Sequence, residues 1–255
     1  MQRHELLISS IITHAARHHG DAEIVSRRAG GSLARTTWRG IEERARRLAA
    51  VLDALGVKHG DRVGTLAMNS DRHLELYYAI SGMGAVCNTI NPRLLPDDIA
   101  YIIDHAEDSL VFTDPQFLPI IAAIAPGLKS LRAVVVLAEA AADPGLPPHI
   151  ALYAYEDLLA EVPAIPAWPR FDENTASGLC YTSGTTGRPK GVLYSHRACV
   201  LHAFSLNSAD VVGLKATDRA LAIVPMFHVN GWGVPYAAPM SGSALLMPGS
   251  GLDAP

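Results

Sequence analysis

The amino-acid sequence predicts a doubly wound α/β fold, with mostly parallel sheets flanked by helices. Three observations carry this. Helical and strand patterns alternate from Thr37 to Leu137. Several strand segments are unbroken apolar runs, Ala133–Leu137 being nearly pure valine, which is how strands covered on both faces read. The 255 residues are 49% hydrophobic and 18% charged, a balance that suits one large soluble core or two.

The elements follow in order. Thr37 is placed to cap a helix whose apolar face is Ile41, Ala45, Leu48, Ala49 and Leu52. Glu42 and Glu43 precede Arg46 and Arg47 by one turn, a supportive surface pairing, and Gly56 ends the helix. Arg62 to Ala67 reads as a strand. Asp71 to Met83 reads as a helix capped by Ser70 or Asp71. Ala85 to Ile90 is the next strand, and Pro96-Asp97-Asp98 opens a helix towards His105. Leu110 to Thr113 and Ala133 to Leu137 are strands. Ala140 to Pro148 and Pro163 to Pro169 are loop-rich. Gly178 to Tyr181 and Gly191 to Tyr194 are strands that flank a polar run.

That run, Tyr181-Thr182-Ser183-Gly184-Thr185-Thr186-Gly187-Arg188-Pro189-Lys190-Gly191-Val192, carries the chemistry. Glycines let backbone N–H groups converge on one anion. The Thr and Ser hydroxyls add donors, or oxygens for a metal that accompanies phosphate. Lys190 adds a point charge on a long stem. A Walker-type loop would need Gly-Lys-Ser/Thr leading straight into a helix. Here Gly191 follows Lys190 and a strand follows that, so this is a phosphate loop of another kind. An ordinary Gly/Thr turn seldom holds so many donors.

The run resembles the phosphate-binding loop of the adenylate-forming superfamily, which includes acyl- and aryl-CoA synthetases, peptide-synthetase adenylation domains and firefly-type luciferases. The likeness extends through Ser195-His196-Arg197-Ala198 and to Pro225-Met226-Phe227-His228-Val229-Asn230-Gly231-Trp232-Gly233, which is similar to the aromatic/histidine segment of acyl-CoA synthetases. Asn91-Pro92-Arg93-Leu94 and Asp61-Arg62-Val63-Gly64 also fit. The resemblance implies an incomplete large N-terminal domain. Residues 1–165 would form a first α/β portion, and residues 166–255 the phosphate-loop and acyl-pocket portion. The Tyr-Gly-x-Thr-Glu segment, the ribose-binding Asp and the C-terminal lid with its lysine are not found before Pro255.

The resemblance further implies an ATP-dependent, AMP-forming acid–thiol ligase. It would join a carboxylic acid, a fatty acid first among candidates, to coenzyme A through an acyl-adenylate. Thr182, Ser183, Gly184, Thr185, Thr186, Gly187 and Lys190 would hold the phosphates, and Thr182 would face Mg²⁺. His228 would orient the carboxylate and gate the thiol step. Trp232 and Gly233 would line the acyl pocket. From spacing alone, His228 reads first as a core side chain hydrogen-bonded to backbone, and Trp232 reads equally as core or pocket wall. A peptide-synthetase adenylation domain, an aryl-CoA ligase and a non-catalytic nucleotide-binding fragment stay open as alternatives. The 255 residues alone are expected to be inactive.

Other classes are excluded or disfavoured. A net charge of −4 leaves no basic footprint for nucleic acid. Cys87, Cys180 and Cys199 are scattered and odd in number, which fits buried thiols in a reducing, cytoplasmic setting. His14 and His18 are one helical turn apart, and a solvated face suits them better than a metal. Residues 220–252 lack Lys, Arg, Asp and Glu, yet Pro225, Pro235, Pro239 and Pro248 break the stretch. Buried strands and pocket-lining turns are expected there rather than a membrane span. Peripheral membrane contact and a homodimer are left open.

Overall fold

The computed structural model describes residues 4–160, 162–182 and 187–251. The described elements, in chain order, are α1 (Ile8–His18), β1 (Glu23–Arg27), β2 (Leu33–Thr37), α2 (Trp38–Ala54), β3 (Arg62–Leu66), α3 (Asp71–Gly82), β4 (Val86–Thr89), α4 (Pro96–Ala106), β5 (Leu110–Thr113), α5 (Leu118–Ile124), β6 (Ala133–Val136), β7 (Ala151–Ala154), α6 (Tyr155–Ala160), β8 (Ala176–Thr182), β9 (Lys190–Ser195), α7 (His196–Leu206), β10 (Arg219–Leu221), α8 (Val234–Ser241) and β11 (Ala244–Met247).

A seven-stranded sheet runs β7-β6-β5-β3-β4-β8-β9. All its pairs are parallel except the last, where β9 returns antiparallel to β8. The order reverses after β4, where the chain jumps to the far side of β3. Alternate side chains of these strands feed two cores. Val63, Phe112 and Val135 join the helices α1, α2 and α3 on one face. Leu66, Val111, Val134 and Val136 join Ile99, Ile102 and Ile103 of α4 and Ile121 of α5 on the other. This is the doubly wound arrangement expected, and both faces are covered as the valine-rich strands require.

A second sheet runs β10-β11-β1-β2. Here β1 lies parallel to β11, with Ile24 opposite Leu245. Strands before and after residue 165 therefore share both sheets.

Local signals act as the sequence suggests. The Thr37 hydroxyl accepts from the Gly40 N–H and Ser70 accepts from His73 N–H, so both cap their helices. Pro96 occupies the first turn of α4. Arg46 and Arg47 pair with Glu42 and Glu43 one turn earlier. Helix α3 is buried along its whole length, and its charged side chains survive only through partners. Glu75 accepts from Arg44 at 2.7 Å and from the Tyr155 hydroxyl. Burial still pushes the Glu75 carboxyl up to about 7.

One expectation needs correction. Residues 234–241, read as strand or turn, form helix α8 with Pro235 in its first turn and Pro239 inside it. Pro235 costs nothing at a position whose N–H has no intrahelical acceptor. Pro239 is five residues into an eight-residue helix, so little ladder remains to break. Of the strands in this stretch, β11 is half buried as expected, whereas β10 is an edge strand with Arg219 and Leu221 exposed. No described helix is long and apolar enough to cross a membrane. Cys87, Cys180 and Cys199 are free and buried. His14 and His18 are exposed on α1, and among the described residues no cluster of three or more His, Cys, Asp or Glu could hold a metal.

Candidate active site

The polar run forms the connection between β8 and β9. Cys180 pairs with Thr89 of β4, the last rung β8 shares with that neighbour. The β8–β9 hairpin continues for two more rungs, Tyr181 with Gly191 and Thr182 with Lys190. Thr182 and Lys190 are thus cross-strand partners on one rung, and both residues are exposed. They stand at the carboxyl edge of the parallel sheet, the side on which open α/β sheets bind ligands. A cation and a hydroxyl on one rung suit a phosphate oxygen. Gly187 has φ +126°, a conformation that L side chains rarely adopt. Ser183, Gly184, Thr185 and Thr186 lie outside the described residues.

Thr182 supplies one hard oxygen ligand, with no described carboxylate cluster beside it. That donor set fits Mg²⁺ only as an ion carried largely by phosphate oxygens.

The histidine segment is held beside this hairpin. Cys180 Sγ donates to Asn230 Oδ1 at 3.1 Å, two residues before Thr182. Gly178 on the same strand is crowded by Asn230, since a Cβ there would lie 3.1 Å from Asn230 Nδ2. From Val229 to Gly233 five consecutive residues have φ between +46° and +74°. A left-handed turn of this length costs roughly 1–2 kcal/mol for each residue that bears a Cβ. Only Gly231 and Gly233 adopt it freely, while Val229, Asn230 and Trp232 are forced. His228 leads into the turn. Its N–H donates to Pro225 and its carbonyl accepts from Gly231. The His228 side chain is exposed.

Asn69 fastens the segment from below. Its amide donates to the carbonyls of Ala222 and Val224 and accepts from Met226 N–H. The Tyr77 hydroxyl donates to the Met226 carbonyl. Burial raises the Tyr77 hydroxyl far above its ordinary range, so it stays a neutral donor. The Arg93 guanidinium lies 5.8 Å from the Phe227 ring centroid, which brings the Asn91-Pro92-Arg93-Leu94 segment onto the histidine segment.

Behind the left-handed turn is a mainly apolar cavity of about 270 Å³, lined by Tyr194, Cys199, His202, Val229, Gly233 and Tyr236 among others. Gly233 lines this cavity. Trp232 is 61% exposed and is not part of this wall. His228 also lies outside the wall and adjoins it through Val229. Burial raises the Cys199 thiol to about 11, so it is a neutral, inert wall group. Asn69, Cys180, Asn230, Cys199 and His202 escape a reading of the sequence. The first three act through one to three hydrogen bonds across long separations, and the last two lie on α7, whose apolar pattern is weak.

The chain matches the AMP-binding enzyme family over residues 12–255. It is 51% identical over 252 residues to a 3-methylmercaptopropionyl-CoA ligase of Ruegeria lacuscaerulensis, covering 99% of this chain and 47% of the relative. It is 50% identical over 258 residues to a medium-chain-fatty-acid–CoA ligase of Ectopseudomonas oleovorans, covering 99% and 46%. Among solved structures, the N-terminal domain of FACL13 from Mycobacterium tuberculosis matches with a TM-score of 0.77 at 28% identity, over 95% of this chain and 57% of that one. The anthranilate CoA ligase AuaEII in complex with anthranoyl-AMP shares the fold, with a TM-score of 0.83 at 23% identity over 96% of this chain and 45% of that one. The chain spans about half the length of the curated relatives it matches. By the family match over residues 12–255 and the 51% identity to a relative over 99% of this chain, the chain belongs to the AMP-binding enzyme family.

Proposed function

We propose that the chain is the N-terminal part of an AMP-forming acyl-CoA ligase that activates an apolar carboxylic acid. One observation carries the reading: the Thr182–Lys190 rung and the His228 turn are tied to the same strand through Cys180 and Asn230. A phosphate site and an apolar cavity are thereby neighbours, as the chemistry needs.

A carboxylate has no usable leaving group. When one of its oxygens bonds to the α-phosphorus of ATP, the bond from that phosphorus to the bridging oxygen breaks and pyrophosphate departs. The acyl carbon then carries AMP as its leaving group. In the second step the coenzyme A sulfur bonds to that carbon, the carbon–oxygen bond to AMP breaks, and the thiol proton goes to solvent. Most of the catalysis is positioning and charge stabilisation. Lys190, Thr182 and the backbone from 183 to 187 would hold the β- and γ-phosphates. Mg²⁺ bound with the nucleotide would spread the negative charge that builds on pyrophosphate, and Thr182 would be its ligand from this chain. His228 would orient the carboxylate between the nucleotide and the cavity and gate the thiol. Gly233 would line the acyl end, with Trp232 at its outer rim.

The mainly apolar cavity wall, with no carboxylate among its lining residues, favours an aliphatic acid over an amino acid, whose ammonium group would find no partner of opposite charge there. Three buried free thiols suit the reducing cytoplasm. The test is acid-dependent ATP–pyrophosphate exchange by the complete enzyme that carries this chain, run across short, sulfur-containing, medium-chain, long-chain and amino acids. Exchange with aliphatic acids supports the reading. Exchange with amino acids alone, or with none, overturns it.

A further inference from the structure

The phosphate hairpin overhangs its sheet. Strand β8 has neighbours on both sides only as far as Cys180, and the last two rungs are held by β9 alone. An isolated two-stranded ribbon is marginally stable in water, so the overhang needs a further support. Helix α4 lies alongside it. Ile99, Ile102, Ile103 and Ala106 turn to the core, which leaves Tyr101 and His105, one helical turn apart, on a shared outward face. Both touch the hairpin. His105 Nδ1 is 2.7 Å from the Tyr181 hydroxyl. The Arg188 guanidinium lies 4.8 Å from the Tyr101 ring centroid. The Tyr101 and His105 rings are 5.1 Å apart, so the two contacts form one stack.

Gly191 completes the arrangement. A Cβ there would lie 3.0 Å from Leu179 and 3.3 Å from the Tyr181 ring. Its absence lets Tyr181 lie across the edge strand and reach α4. Arg188 is then directed to an aromatic face, while Lys190 remains at the rung opposite Thr182.

We propose that Tyr101 and His105 of α4 are positioning residues for the phosphate loop: by holding Arg188 and Tyr181 they set where the Thr182–Lys190 rung stands over the sheet. This assignment rests on the loop being the triphosphate site. It implies a division of labour between the loop's two cations. Lys190 faces the nucleotide, and Arg188 clamps the loop to the fold.

The test uses the complete enzyme that carries this chain, with Tyr101→Leu, Tyr101→Phe, His105→Gln, Arg188→Ala and the double variant Tyr101→Leu/Arg188→Ala. Two quantities are measured: KM and kcat for each of ATP, acid and coenzyme A, and backbone hydrogen exchange of residues 187–191. Tyr101→Leu and Arg188→Ala are each expected to raise KM for ATP about 3- to 10-fold. KM for acid and coenzyme A stays at the wild-type value, and exchange at 187–191 speeds up. The double variant is no worse than either single one, because both remove the same contact. Tyr101→Phe keeps the ring face and behaves as wild type. Wild-type KM and exchange in Arg188→Ala, an exposed site that leaves the core intact, would overturn the proposal, as would additive effects in the double variant. Should Lys190→Ala leave ATP kinetics untouched, the triphosphate reading itself fails. The exchange data then judge the clamp alone, faster exchange in Tyr101→Leu upholding it and unchanged exchange refuting it.

Discussion

His196 Nδ1 accepts a hydrogen bond from the backbone N–H of Ile8 at 3.2 Å, across 188 residues. Helix α1 has no side-chain cap of its own. Its entry is instead satisfied from elsewhere: Glu173 accepts from Leu6 N–H and His196 from Ile8 N–H. A histidine next to the phosphate hairpin is thus a capping residue for the N-terminal helix. It can serve only while Nδ1 is unprotonated.

A pH dependence follows. Burial holds the His196 imidazole down to about 4, against an ordinary value of 6.5. A depressed folded value means the fold favours the neutral ring. The stabilisation is complete above about 6.5 and disappears as pH falls from there towards 4. The wild-type stability advantage over His196→Gln, whose side chain does not titrate, is expected to shrink across that window by on the order of 1–3 kcal/mol. Urea titrations of both proteins at pH 7.5, 6 and 4.5 check this. A constant difference would show that His196 does not carry the cap.

The left-handed turn makes a second prediction, of opposite signs at two positions. Val229 is a β-branched residue with φ +46°. Val229→Gly relieves that strain and is expected to raise stability by up to about 1 kcal/mol. Gly233 has φ +74°, and a Cβ there would come within 2.5 Å of His202 Nδ1. Gly233→Ala is expected to lower stability by about 1–3 kcal/mol and to raise KM for the acid, because the new methyl enters the cavity wall. Thermal melts and acid-dependence curves measure both. Equal melting temperatures for the two variants would remove the case for stored strain.

How much of this was readable in advance depended on the range of the interaction. Thr37, Ser70 and Pro96 announce their helices because a cap or a fixed φ acts within three residues. The strands β5 and β6 announce themselves because burial on both faces demands unbroken apolar runs. The strands β8 and β9 were legible as short, mostly apolar runs on either side of a polar stretch. Helix α8 was hidden by Pro235 and Pro239, whose usual meaning is a helix stop. The cap that His196 gives α1, the Asn69 clasp on Met226 and the Cys180–Asn230 bond were hidden because each joins positions at least 50 residues apart. The left-handed path of Val229 and Trp232 contradicts their local preference, and only the tertiary frame imposes it.

Lys190 stands across from Thr182 with its ammonium exposed and committed to no described carboxylate. Lys190→Ala in the complete enzyme is expected to lower kcat/KM for ATP on the order of 10²-fold, with the melting temperature unchanged. Pyrophosphate exchange measures it. Wild-type kcat/KM would sink the assignment of this rung to the phosphates.

His228 separates the two half-reactions. His228→Ala is expected to slow adenylate formation, thioester formation or both by about 10- to 100-fold, because carboxylate orientation and thiol entry both pass its position. The side chain is exposed, so little stability should be lost. Rapid-quench assays of each half-reaction make the distinction. Unchanged rates accompanied by a fall in melting temperature would make His228 a structural residue.

The last prediction concerns the exposed apolar side chains of β9 and α7. Leu193 on β9 and Leu201 and Phe204 on α7 are each more than two-fifths exposed, and Val192, on the face of β9 opposite Leu193, is 39% exposed. β9 is also the open edge of the larger sheet, as β10 is of the smaller, where Leu221 and nearby Ile223 are exposed as well. Apolar side chains concentrated beside unpaired strand edges are the usual setting for association. β9 contains no proline and has Lys190 only at its start, and its ladder with β8 shifts register between Ala176 and Gly178 at the other end. The 255-residue polypeptide on its own is therefore expected to self-associate at micromolar concentration. Leu193→Lys combined with Phe204→Lys should shift it towards monomer, since each puts a charge on an exposed apolar site, one on either side of the larger sheet, without touching the core. Light scattering coupled to size exclusion reads the mass directly. A monodisperse wild-type monomer would mean that the exposed face is tolerated in water, and that the edge is protected by its twist rather than by a covering surface.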